Sequence, residues 1–163
     1  MNKKGQVIED GFFMIIFLLF LGIGALVSFV VMDKVVETSQ NVTQLNTTQV
    51  QAAIQSGQTV NDMWDYIILS VMVAFALGVL ILGYFLDVSS VFAPIYILIM
   101  LIGVVVAAVM SYVWEQVSVA PVWVSYVSTK LPITDHILSH LAVYYTLVAG
   151  MAMVALYAKG GDR

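Results

Sequence analysis

The chain has 163 residues, is 61% hydrophobic and 10% charged, carries a net charge of −4 and contains no cysteine. A soluble domain is about 45–50% apolar and about 25% charged, and a small globule has too much surface to hide such an excess, so the excess must face something apolar, for which lipid is the economical candidate. The acidic balance excludes a general nucleic-acid binder, which needs clustered Lys and Arg for phosphate, and the missing cysteine excludes disulfides, thiolate catalysis and cysteine metal sites.

Charges punctuate the chain, and the stretches between them predict its elements. Residues 11–32, between Asp10 and Asp33, contain no Asp, Glu, Lys, Arg or His. The same holds for 66–86, for 88–114 and for 141–158. A spanning helix needs about 17–25 apolar residues, so the expectation is an all-α, four-helix transmembrane protein, with spans at about 11–32, 66–86, 91–114 and 141–158. A transmembrane barrel would alternate apolar and polar residues, and Phe12–Leu21 and Ile95–Val106 do not. No internal repeat and no separate folded domain are evident.

The segment 33–65 is rich in Gln, Asn, Thr and Ser, with Val35, Val42, Leu45, Val50 and Ile54 at loosely helical spacing. It reads as a continuation of the first helix beyond the membrane, a turn near Ser56-Gly57, and a return. Asn41-Val42-Thr43 and Asn46-Thr47-Thr48 fit the N-glycosylation acceptor pattern. Asp87-Val88-Ser89-Ser90, followed by Pro94, predicts a tight turn and an antiparallel pair of spans. The segment 115–140 carries Pro121, Trp123, Tyr126 and Pro132, a composition suited to lying in the membrane interface. Thr134-Asp135, after Pro132, offers a cap for the last helix, and Lys159-Gly160-Gly161 stops it.

Orientation follows from the cations. Lys3 and Lys4 precede the first span, and Lys159 and Arg163 follow the last. By the positive-inside rule both termini face the cytoplasm or a virion interior, which puts 33–65 and 115–140 outside. The two acceptor asparagines fall in that exterior part.

Candidate functional residues are few. Ionisable groups inside a membrane mark proton relays and substrate paths, and the four runs contain none, which counts against a coupled transporter. Small residues recur at spacing four, in Gly24 and Ser28, Ala74 and Gly78, and Gly103, Ala107 and Ser111, with Ala149, Ala152 and Ala155 on the last helix. Such spacing lets helix backbones approach closely, within one chain or between chains. His136 and His140 share a helix face beside Asp135, but no metal-binding pattern accompanies them. No Gly-x-Ser-x-Gly is present, so no enzyme and no cofactor are expected.

The start Lys3-Lys4-Gly5-Gln6-Val7-Ile8-Glu9-Asp10, ahead of a long apolar run, resembles type IV pilin-like signal sequences. That resemblance implies cleavage after Gly5 and an assembly role for the first helix; the chain departs from it by having four apolar segments. The same Lys-Lys-Gly-Gln start is similar to small multi-span membrane proteins of archaea and their viruses, which implies a non-enzymatic component of a virion or envelope. The reading is therefore a membrane structural protein that assembles laterally, with the lipid bilayer and like copies as partners. A small channel or transport accessory and a pilin-like subunit stand as the rival readings.

Overall fold

The computed structural model describes the backbone of residues 3–42, 47–85 and 93–158, and the side chains of 13–42, 47–81 and 94–155. These residues form seven α-helices: α1 (Lys3–Asn41), α2 (Thr48–Asn61), α3 (Trp64–Phe85), α4 (Ala93–Ser118), α5 (Val124–Lys130), α6 (Pro132–Ser139) and α7 (Leu141–Ala158). No strand occurs among the described residues. The chain is all-α, as its unbroken apolar runs require.

Three helical stretches are long and apolar enough to cross a membrane: Phe13–Asn41, Thr48–Ile81 and Pro94–Ser118. A fourth crossing exists if α6 and α7, bent by 70° at His140, count as one span. By length and composition this is a multi-pass membrane chain. The Asp87–Ser90 turn and the Lys159-Gly160-Gly161 stop lie outside the described residues. Pro94 stands in the first turn of α4, where its missing N–H has no helical partner to lose.

At 39 residues and 1.5 Å per residue, α1 is about 58 Å long, far more than the hydrocarbon thickness of about 30 Å. It continues past its apolar run, as expected. The return differs from the expectation. Ser56 and Gly57 lie within α2 and not in a turn; the reversal falls before Thr48, and the Thr47 hydroxyl accepts from the Val50 N–H at 3.4 Å. Glycine need not break a helix when a neighbour occupies the place of its side chain. A Cβ on Gly57 would lie 2.6 Å from the end of Met32.

Only Asp62 and Met63 separate α2 from α3, and the two count together as one stretch. This rod runs antiparallel to α1. The Ser28 hydroxyl donates to Asn61 Oδ1 at 2.7 Å, and Met32 meets Gly57 one helical turn further on. Ala25, Leu26 and Phe29 are buried, so the upper part of the first apolar run is covered by protein.

The segment 115–140 forms the end of α4 and two short helices, with Val127, Leu131, Thr134, Ile137 and Leu138 buried and Val119, Val122 and Val124 exposed. The largest fully buried side chains, Trp114, Leu26, Ile68, Leu131, Leu138 and Thr134, gather where α1, α3 and α4 meet this pair. We call that end of the bundle the head.

Thr134-Asp135 does not cap the last helix. α6 begins at Pro132, and its first free amides are taken by a residue 68 and 69 positions earlier: Ile133 and Thr134 donate to the two oxygens of Asp65 at 3.1 and 2.6 Å. Asp65 is 5% exposed; its charge is held by hydrogen bonds that suit a helix N-terminus. Asp135 turns to Trp114, whose indole N–H donates to it at 2.8 Å. The amide opening α7, that of Leu141, donates to the Ser111 hydroxyl at 3.1 Å.

Candidate functional site

The small residues singled out by spacing divide into two groups. Gly103, Ala107 and Ser111 all face α7. A Cβ on Gly103 would collide with the Tyr145 hydroxyl, Ala107 is fully buried, and Ser111 receives the Leu141 amide. Ala149 and Ala152 are buried on the α7 side, and the Tyr96 hydroxyl donates to the Ala149 carbonyl at 3.1 Å. This stripe is consumed within the chain, and Ser111 joins α4 to α7 by hydrogen bonding as well as by its small size.

The other positions are open. Gly24 is exposed with nothing near its vacant Cβ position, and the same space is empty at Gly78. Ala74 is exposed, as is Ser70 one turn before it. The Ser70 hydroxyl is satisfied by the Tyr66 carbonyl at 2.7 Å, so it needs no partner in lipid. Ser70, Ala74 and Gly78 thus form a small-residue stripe on an outer face of α3, flanked by exposed Tyr66, Val73, Leu77 and Ile81. Ser28, paired with Gly24 by spacing, instead meets Asn61 in the head.

Gly22 has no small partner four residues away, yet it packs more closely than Gly24. Its vacant Cβ position lies 2.6 Å from Leu138 and 2.9 Å from Trp114, which makes it the close-approach glycine of α1. Gly22 continues the i, i+3, i+4 row of buried Ile15, Leu18, Leu19, Leu26 and Phe29, a row that the all-apolar run does not single out in sequence.

Between α1, α3, α4 and α7 lies a cavity of about 100 Å³ lined by apolar and tyrosine side chains, among them Leu18, Phe75, Met100, Tyr96 and Tyr145. No charged group lines it. Such a cavity holds neither a general base nor a nucleophile with a matched partner.

His136 and His140 are exposed, with ring centroids 4.7 Å apart. His140 Nδ1 lies 2.9 Å from the His136 carbonyl oxygen, which can only accept, so Nδ1 is the donor. Asp135 is engaged by Trp114, and among the described residues no group of three or more acidic or histidine side chains could hold a metal ion.

Asn41 is exposed at the end of α1, while Asn46 lies outside the described residues. Gly5-Gln6 falls within the backbone of α1. No family model, curated protein or solved structure matches the chain, so its functional reading rests on these residues alone.

Proposed function

We propose that the chain is a non-enzymatic structural protein of a membrane, in a virion or cell envelope, which assembles laterally with copies of itself through the outer face of α3. The observation that carries this reading is the Ser70–Ala74–Gly78 stripe. It has the spacing that lets helices approach closely in lipid, it is open at Gly78, and the comparable stripe on α4 is already used by α7. Lys3, Lys4, Lys159 and Arg163 support termini facing the cytoplasm or virion interior. The head, with Asn41 as a glycosylation acceptor, then stands outside.

The absence of cysteine makes the test clean. Single cysteines replacing Ala74 or Gly78 should yield disulfide-linked dimers in native membranes. A cysteine replacing exposed Leu101 of α4 should not. Gly78→Leu should dissociate the oligomers and leave the monomer folded. Failure of both α3 cysteines to crosslink, with a monodisperse monomer in mild detergent, would overturn the proposal.

The channel reading lacks an observation of its own. Trp114, Leu26, Ile68 and Leu138 fill the described interior of the head, and the cavity below them is apolar.

A further inference from the structure

The head carries a second concavity, which the lateral-assembly reading does not use. α1, the end of α2 and α5 enclose a groove of about 470 Å³, within the roughly 300–1,000 Å³ of small-molecule sites. Unlike the cavity in the bundle, it is lined by polar groups of both hydrogen-bonding senses.

Its back wall is aromatic. Tyr126 stacks on buried Phe29 with ring centroids 6.0 Å apart and planes 13° from parallel. The Tyr126 hydroxyl donates to Asp33 at 2.5 Å, which fixes the ring and leaves the second carboxylate oxygen of Asp33 without a bond among the described residues. Across the groove, Lys130 donates to one oxygen of Asp62 at 2.6 Å. Both members of that ion pair are about half exposed, so each retains capacity for a further partner.

Asn61 also lines the groove and is 5% exposed. Its Oδ1 accepts from Ser28, while its Nδ2 has no acceptor among the described residues. That amide is not sealed off, since Thr134 Oγ1 is the buried side-chain polar atom left without a partner among the described residues, so the Asn61 amide is free to donate to an acceptor placed in the groove. Gln58 adds a second, exposed amide.

The chemistry of this set narrows the ligand. An anion would meet Asp33 and Asp62. A divalent cation would have to displace Lys130 and would lack a third acidic ligand. A neutral polyol satisfies every group at once. Its hydroxyls donate to the open carboxylate oxygens and accept from Asn61, Gln58 and Lys130, and a sugar ring presents a C–H face to Tyr126. We infer that this groove binds a neutral hexopyranose unit, either as a membrane glycolipid headgroup or as a free saccharide.

The test uses the full chain in nanodiscs prepared without sugar-based detergent. Saturation-transfer NMR with the methyl glycosides of glucose, galactose and mannose reads the free saccharide. Enrichment of monoglucosyl diacylglycerol from mixed nanodiscs reads the lipid source. Transfer to at least one glycoside assigns a soluble ligand, and enrichment without transfer assigns the lipid; either supports the site. Gln58→Ala and Asp62→Ala alter exposed side chains, leave the fold intact by circular dichroism, and should each weaken binding about tenfold. Absence of both transfer and enrichment overturns the inference, and so does binding that survives unchanged in the double variant. Lateral assembly through α3 is untouched by either result.

Discussion

Removing the Asp65 carboxylate should release α6 while leaving the long helices in place. In Asp65→Ala the amides of Ile133 and Thr134 both lose their acceptor. Thr134 is fully buried, so its N–H cannot turn to water, whereas Ile133 is half-buried and can in part. A buried unsatisfied donor costs about 1–3 kcal/mol, and loss of an N-cap about 0.5–2 kcal/mol. Relief of the cost of burying the carboxylate offsets part of this. The net loss is then about 2–3 kcal/mol, an increase of about 30- to 150-fold in the opening of α6. Amide hydrogen exchange in nanodiscs measures it directly, through the rates of residues 133–139 in the variant and the parent. Asp65→Asn keeps one acceptor oxygen and turns an amide donor toward the other N–H, so it should fall between the two. The Leu141 amide is an internal control, because Ser111 holds it independently. A change of less than about threefold across α6 would refute the assignment of Asp65 as its cap.

Three further outcomes follow from the same geometry. Gly103→Ala forces the Tyr145 ring aside and should destabilise the α4–α7 contact by about 1–3 kcal/mol, whereas Gly78→Ala enters open space and gains up to about 1 kcal/mol of helix propensity; a lower Tm for Gly78→Ala than for Gly103→Ala would contradict the packing. Trp114→Phe strips Asp135 of its indole donor and opens a void in the head, at a cost of about 2–3 kcal/mol, read by Tm and by loss of the emission that external quenchers cannot reach. The hydrogen bond to Asp33 raises the Tyr126 pKa above its ordinary 10.0, so the bond's contribution is fully present below about pH 10 and is lost as pH climbs through the raised value. Phenolate absorbance should show Tyr126 titrating late in the parent, and earlier in Asp33→Asn.

The long helices were legible because lipid imposes a length and forbids charge, and both constraints appear in consecutive residues. The head was not. Its defining contacts join Asp65 to Thr134, Ser28 to Asn61 and Tyr126 to Asp33, and no local pattern announces a partner so many residues away. Glycine misled in two ways. Gly57 read as a breaker because its cost in a helix is local, whereas its placement against Met32 is tertiary. Gly24 was chosen over Gly22 because spacing alone does not say which face of an all-apolar helix is turned inward. The functional positions followed the same division. The α4 stripe and the α3 stripe look alike in sequence, and only the position of α7 separates a packed face from a free one.

The unbroken course of α1, and of α2 into α3, bears on how force would pass through such a chain. The two rods run into the head as helices and are tied together there at Ser28–Asn61 and Met32–Gly57. A load on the head is therefore delivered along helix axes into the bilayer with little bending to absorb it. Copies joined through α3 would couple their heads as stiff pairs, so that a tilt of one is passed to the other.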